Sequence, residues 1–287
     1  MKQNEHYKDI LKIFDTLRYS RDSWEIFVDF LELSATCISN TVDPMYFDER
    51  EKSYLATIKK YIPEHQKLFP EMFAKLVLAL EHEYQSGGFV DILGNLFHEL
   101  ELHNKYRGQF FTPQHICTMM GKMLLGDSDN AIKEQGFITV AEPACGSGAM
   151  VLGFAQAMKD CGYNHSNQMY VVATDIDLKC VHMCYLQLAL YGIPAVVTHG
   201  NSLTLEEWSR WHTPVYIFGG WRWKSRRSII SSDKKFDEAQ AHNEEQTAEE
   251  VEMIEDVQPK IILPTHKEAV KTFEQLDLFT IFGGEGK

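Results

Sequence analysis

Two short motifs place glycines and carboxylates at the ends of predicted strands. In AEPACGSGAM, Glu142 ends a predicted strand, and Gly146 and Gly148 lie in the turn before a predicted helix. Glycines in such a turn let the backbone approach a ligand closely, and the helix amino terminus offers free N–H groups. The next predicted strand ends in VVATDID, where Asp175 stands about 30 residues after the turn. A carboxylate at this position can accept hydrogen bonds from both hydroxyls of a ribose.

The glycine turn differs from the fingerprint of dinucleotide-binding domains. Val151 occupies the position of the third glycine of GxGxxG, so the turn alone is weak evidence for any one ligand. Each motif taken singly is also compatible with an ordinary turn of a doubly wound α/β domain. The order and spacing of several motifs therefore carry more weight than any one of them.

Four motifs occur in an order that is similar to one known family. GQFFTP begins at Gly108, EPACGSG spans 142–148, and ATDID and HGNSL follow. This series resembles the amino-methyltransferases represented by the M subunit of type I restriction-modification systems, over roughly residues 88–205. The resemblance implies N6-adenine methylation of DNA with S-adenosylmethionine as cofactor. It also implies assembly with a specificity subunit or a partner methyltransferase subunit.

The same resemblance implies roles for individual residues. The methionine end of S-adenosylmethionine would be shaped by Phe111, Thr112 and Pro113. Its cradle would be formed by Glu142, Pro143, Ala144, Gly146 and Gly148. Asp175 would hold the ribose, Ile176 would flank the adenine ring, and Asn201 would lie beside the adenine or its amino group.

The catalytic motif of the resembled family is degraded in this chain. Such enzymes use Asn/Asp-Pro-Pro-aromatic, whose acceptors bind the target amine while the ring stacks on a flipped base. Matching letters places this motif at 213–216, where Thr213, Pro214 and Tyr216 are the candidate catalytic residues. If PVYIF is the fourth strand, the motif falls instead at 219–221. Both alignments lack the full acceptor set, so the sequence leaves catalytic competence open.

An α/β fold preceded by helices must position these motifs. Apolar residues at helical spacing predict a helical N-terminal domain over residues 1–105. Alternating strand and helix patterns predict a Rossmann-like methyltransferase sheet over residues 106–228. The resembled family continues with further strands, whereas this chain turns acidic within about ten residues of the predicted fourth strand. The sequence therefore predicts a truncated sheet, a disordered acidic linker at 229–266 and a tail at 267–287.

The net charge of −13 is concentrated in that linker. Ten acidic residues and two lysines between Ser231 and Gln258 give −8, which leaves −5 for the rest of the chain. Phosphate contacts dominate DNA affinity, but the acidity of one segment does not exclude DNA as a partner. The sequence shows no membrane-length apolar run, no signal peptide and no CxxC pair among its six cysteines. These features predict a soluble cytoplasmic protein with reduced thiols.

A patch of alternating aromatic and basic residues has a composition suited to DNA contact. WRWKSRR supplies rings for base stacking and cations for phosphates, namely Trp221, Arg222, Trp223, Lys224, Arg226 and Arg227. The alternative is a solvated strand end whose charges balance the acidic linker. HELELH at 98–103 is not predicted to bind zinc, because histidines five positions apart point to different helix faces.

The tail contains a pentapeptide similar to those by which bacterial replication and repair proteins bind the DNA sliding clamp. It consists of Gln275, Leu276, Asp277, Leu278 and Phe279. A tethered peptide of this kind docks apolar side chains in pockets while its linker lets the body reach DNA. The alternative is an amphipathic helix from Lys267 that folds back onto the body. The sequence thus supports an adenine methyltransferase or a non-catalytic DNA-maintenance accessory recruited to the clamp, with methylation of a non-DNA amide or amine as a third possibility.

Overall fold

The computed structural model of the protein describes residues 4–100 and 112–224, without the side chains of 127–130. All of the described residues belong to one compact unit. None of the helices in those two ranges combines the length and the apolar character needed to cross a membrane.

The first described range is entirely helical. Its elements are α1 (Glu5–Leu17), α2 (Ser23–Val42), a short 3-10 turn (Pro44–Tyr46), α3 (Phe47–Ile58), α4 (Pro63–Gln66), α5 (Leu68–Ser86) and α6 (Ile92–Glu99). Three helices are capped by the polar residue before them, whose side chain accepts a backbone N–H of the first turn, namely Asn4, Asp22 and Asp91. Such caps satisfy donors that a helix cannot satisfy internally.

The second range alternates strands and helices. Its elements are α7 (Gln114–Gln135), β1 (Ile138–Glu142), α8 (Ala149–Asp160), α9 (His165–Gln168), β2 (Met169–Asp175), α10 (Leu178–Leu190), β3 (Ala195–Asn201), β4 (Glu206–His212) and α11 (Pro214–Phe218). The strand order is β1-β2-β3-β4. The first three strands are parallel, and β4 is antiparallel to β3. The predicted α/β fold with a helical N-terminal region is confirmed.

The strand directions define two ends of the sheet. The carboxyl ends of β1, β2 and β3 bring Glu142, Asp175 and Asn201 to one end, which we call the carboxyl edge. The opposite end, where β3 begins and β4 finishes, is the amino edge. Parallel α/β sheets bind ligands outside the carboxyl ends of their strands.

The helical region and the sheet share one hydrophobic core. A single cluster of buried side chains runs from the first helices to Trp211 on β4. Arg50 of α3 lies over the ring of Trp211 at 3.8 Å and donates to the backbone carbonyl of Arg210 at 2.6 Å. The helical N-terminal region therefore packs against the sheet at strands β3 and β4.

The prediction that PVYIF forms the fourth strand is wrong, because this segment is α11. Pro214 occupies the first helical turn, where its fixed φ and missing N–H favour a helix start. The fourth strand is the preceding segment, EEWSRWH. Its Trp211 packs against His182 and Tyr185 of α10, with ring centroids 4.7 and 5.4 Å away.

One side of β1 is open within the described residues. There, β1 pairs with β2 and with no second strand. Thr139 and Ala141 on one of its faces are exposed. Parallel strands are normally covered on both faces, so the part of the sheet that the structure describes is smaller than a complete doubly wound sheet.

Candidate cofactor site

Asp175 joins the two motifs that sequence reasoning placed in one site. Its Oδ2 accepts the backbone N–H of Gly146 at 2.8 Å, and its Oδ1 accepts that of Asp177 at 2.9 Å. A carboxylate offers about four acceptor positions, so these two bonds leave capacity for two ribose hydroxyls. The glycine turn and the carboxylate therefore lie together at the carboxyl edge.

The glycines of the turn are required by its backbone conformation. Gly146 and Gly148 have φ values of 53° and 94°, in the left-handed region that side chains disfavour. A Cβ on Gly148 would also lie 3.2 Å from the Sγ atom of Cys184. Cys145 anchors the turn by donating its N–H to the Thr174 carbonyl at 2.9 Å. The turn thus leads directly into the amino terminus of α8.

Glu142 adds a second carboxylate to this edge. Its Oε1 accepts the N–H of Ala144 at 3.2 Å. Burial raises its pKa, the Ala144 N–H opposes the rise, and the charge of Asp175 adds to it. Pro143 and Ala144 are exposed in the same segment. Two neighbouring carboxylates favour a ligand that carries positive charge and hydroxyl donors.

Apolar surface lies exposed at the same edge. Ile176 follows β2 and is 62% exposed, and Leu203 follows β3 and is 93% exposed. The Oδ1 atom of Asn201 accepts the N–H groups of Leu203 and Thr204 at 3.0 and 3.3 Å, so Asn201 shapes the turn that presents Leu203. Sequence reasoning missed Leu203, although its position two residues after Asn201 in HGNSL was a usable signal.

The start of α7 lies beside the glycine turn. The helices α7 and α8 run parallel, since Cys117 abuts Gly153 and Lys122 pairs with Asp160 at 2.7 Å farther along both helices. Thr112 and Pro113 are exposed just before α7, whereas Phe111 lies outside the described residues. Gln114 begins the helix, and within the described part of the chain neither atom of its buried amide has a hydrogen-bond partner. Sequence reasoning did not select Gln114.

The three candidate catalytic residues are not brought to the carboxyl edge. Thr213 is fully buried at the amino edge, where its hydroxyl donates to the Ile193 carbonyl at 2.8 Å and accepts the Ala195 N–H at 2.9 Å. Pro214 and Tyr216 lie on α11. The seven residues of β3 separate Thr213 from Asn201, a span of roughly 20 Å at the usual rise of a strand.

Trp221 of the candidate DNA-binding patch is a core residue. It is 0% exposed, and its ring packs against Phe137 and Tyr170 at 5.2 and 6.1 Å. A ring buried in this way cannot stack on a base, which corrects its predicted role. Arg222, Trp223 and Lys224 are exposed beside it. Arg226, Arg227, the acidic linker and the clamp-like pentapeptide 275–279 lie outside the described residues.

The model of one protein family, N-6 DNA Methylase, matches residues 89–260. The chain belongs to the N-6 DNA methylase family. Membership in this methyltransferase family supports S-adenosylmethionine as the cofactor, in agreement with the sequence prediction.

Two similar proteins illustrate the extent of the likeness. The methylase subunit of the type I restriction enzyme MpnII of Mycoplasma pneumoniae is 26% identical over 109 residues, 37% of this chain and 18% of that protein. The chain thus matches less than a fifth of that relative's length. A putative class I S-adenosylmethionine-dependent methyltransferase from Listeria monocytogenes aligns with a TM-score of 0.38 and 13% identity, covering 70% of this chain and 55% of the other.

The residues of this chain fit the cofactor chemically. S-adenosylmethionine carries a sulfonium, an ammonium, a carboxylate, a ribose and a planar adenine. Asp175 has acceptor positions that could bind the ribose hydroxyls, and the carboxylate of Glu142 would attract the cationic groups. The amide of Gln114, which has no hydrogen-bond partner among the described residues, could pair with a polar group of the methionine end. When bound, the cofactor supplies an electrophilic methyl group.

Proposed function

We propose that this chain is the cofactor-binding part of an N6-adenine DNA methyltransferase of the type I M-subunit kind. The observation that carries the proposal is the 2.8 Å contact between Asp175 and Gly146. It supports a single site in which the glycine turn, the ribose-binding carboxylate and the exposed apolar side chains act on one ligand. DNA is the proposed substrate.

In this proposal the described residues bind and orient the cofactor. Asp175 accepts hydrogen bonds from the ribose, and Ile176 and Leu203 contact the adenine ring. Glu142 lies near the positive charge of the methionine end, and Thr112 and Pro113 flank that end. The glycines of the turn let the ligand approach the backbone N–H groups at the amino terminus of α8.

Methyl transfer to adenine requires further groups. The exocyclic amine of adenine is a poor nucleophile, so acceptors must bind its protons as the N–C bond forms. The segment resembling that acceptor motif lies at the amino edge, where Thr213 is bonded to the backbone of β3. We propose that the acceptors come from residues outside the described ranges or from a partner subunit that completes the sheet beside β1.

A second candidate function is a non-catalytic accessory that retains the cofactor fold and is recruited to the sliding clamp. The position of Thr213, Pro214 and Tyr216 favours it, because none of the three lies where the cofactor would present its methyl group. The resemblance of residues 275–279 to clamp-binding peptides supplies the proposed means of recruitment.

Expression in a bacterium that lacks N6-methyladenine tests the proposal. The enzyme hypothesis predicts methylation of genomic adenine at a defined sequence, either alone or with a candidate partner subunit, and less methylation with Asp175→Ala. Binding of S-adenosylmethionine is measured in parallel by titration of the purified protein. Cofactor binding without methylation under both conditions would favour the accessory. Absence of cofactor binding would overturn the cofactor site and the enzyme hypothesis, and would leave only an accessory that uses the fold as a scaffold.

A further inference from the structure

A buried carboxylate lies directly behind the glycine turn. Asp91 is 6% exposed and caps the start of α6, where its Oδ1 accepts the N–H of Gly94 at 2.7 Å. Its Oδ2 accepts the hydroxyl of Ser147 at 2.5 Å. Ser147 is the residue between Gly146 and Gly148, so the helical region is bonded to the centre of the turn.

Gln187 of α10 completes this cluster. Its Nε2 donates to Asp91 Oδ1 at 2.8 Å and to the Ser147 carbonyl at 2.7 Å. Its Oε1 accepts the N–H of Leu93 at 3.3 Å. Ser147 and Gln187 are almost completely buried, so water does not compete for these bonds. The start of α6, the glycine turn and α10 are therefore joined through Asp91.

The turn needs such a restraint because of its composition. Gly146 and Gly148 have no side chains to limit their backbone dihedrals, and glycine loses more conformational freedom on ordering than any other residue. Ser147, between them, is held at both its hydroxyl and its carbonyl. Burial raises the pKa of Asp91, and the bonds from Ser147 and Gln187 oppose that rise. The folded protein therefore buries a carboxyl group although its desolvation costs free energy.

We propose that Asp91 is a positioning residue that holds the glycine turn in its cofactor-binding conformation. Through Asp91, the helical N-terminal region controls the affinity of the turn for the cofactor. This inference rests on the proposed function of the turn and adds a determinant that does not itself touch the ligand.

Hydrogen–deuterium exchange of the full chain without cofactor tests the restraint. Asp91→Asn weakens the acceptor, and Ser147→Ala removes the hydroxyl with little change in shape. In both variants the amides of residues 142–149 are expected to exchange about tenfold faster, and S-adenosylmethionine to bind about tenfold more weakly. Asp29→Asn is the matched control, since Asp29 is a buried carboxylate of the same helical region bonded to Tyr61 and Lys60. It should leave both readouts unchanged.

The outcomes separate this inference from the proposed function. Unchanged exchange at the turn in both variants would overturn the role of Asp91. If Asp91→Asn exchanges faster throughout the protein, the Ser147→Ala variant is decisive. Faster exchange confined to residues 142–149 in that variant supports the role of Asp91, and unchanged exchange at these residues overturns it. Failure of the wild-type chain to bind S-adenosylmethionine would overturn the proposed function, while the exchange comparison would still decide whether Asp91 orders the turn.

Discussion

The carboxylate of Asp175 accepts the backbone N–H of Gly146 at 2.8 Å, although the two residues lie 29 positions apart in the chain. The residue that would bind the ribose therefore also fixes the turn that would cradle the methionine end. Loss of this side chain should affect both parts of the site at once.

Asp175→Ala is expected to weaken S-adenosylmethionine binding by about tenfold or more, because it removes a charged acceptor and frees the N–H of Gly146. The measurement is a calorimetric titration of the purified chain. Asp22→Ala is the control, since Asp22 caps α2 by accepting the N–H of Trp24 at 2.9 Å. That variant should lose roughly 1 kcal/mol of stability and keep its affinity. Equal affinity in wild type and Asp175→Ala would show that the cofactor assignment is wrong.

Thr213→Val should lower the free energy of unfolding by about 1–3 kcal/mol, because the buried Ala195 N–H and Ile193 carbonyl lose their hydroxyl partner. Chemical denaturation measures this loss. Cofactor affinity should not change, since Thr213 lies at the amino edge. Thr16→Val, which removes an exposed hydroxyl bonded to the Lys12 carbonyl, should have little effect. Loss of DNA methylation with stability and affinity retained would instead favour a catalytic role for Thr213.

Trp221 and Trp223 should respond oppositely to alanine substitution. Trp221→Ala is expected to cost about 3–5 kcal/mol of stability, because the ring is fully buried against Phe137 and Tyr170. Trp223 is 62% exposed, so Trp223→Ala should change the melting temperature little. Any role of the patch in DNA binding should appear in Trp223→Ala as weaker binding to a labelled duplex. A stable Trp221→Ala variant would contradict the packing at this end of the sheet.

His182 should make the protein less stable in acid. It is 3% exposed and packs against Trp211 at 4.7 Å; burial, and then the charge of Arg50, lowers its pKa to about 3. The unfolded chain, with a histidine pKa of about 6.5, takes up a proton that the folded protein excludes. This contribution to stability is fully present above pH 6.5. It is lost as the pH falls toward 3, by up to about 1.4 kcal/mol per pH unit.

Urea denaturation between pH 7.5 and 4.5 tests this prediction. The stability of His182→Leu should fall less steeply with acid than that of the wild type, whatever its stability at neutral pH. His115→Gln provides a comparison, because His115 is exposed at the start of α7. If the free energy of unfolding fell equally steeply with pH in the wild type and in His182→Leu, the prediction for His182 would be wrong.

The cofactor motifs were predictable because their information is local. A glycine turn between a strand and a helix, and a carboxylate after the next strand, form wherever the parallel pairing places both strand ends together. Glu142, Gly146 and Asp175 accordingly lie at one edge. Asp91 and Gln187 could not be predicted in this way, since they reach Ser147 from elements 56 and 40 positions away. The periodicity of apolar residues predicts helices and strands but does not predict hydrogen bonds between distant side chains.

The secondary structure of residues 206–218 depends on packing against residues that are distant in sequence. PVYIF has the composition of a strand, yet Pro214 starts a helix there, and EEWSRWH takes the strand position because Trp211 packs onto α10. The resulting antiparallel return carries Thr213 to the amino edge, away from the cofactor motifs. Residue types and spacing therefore determined the family and its cofactor. The direction of β4, and with it the distance of the degraded motif from the site, followed from burying side chains that are distant in sequence.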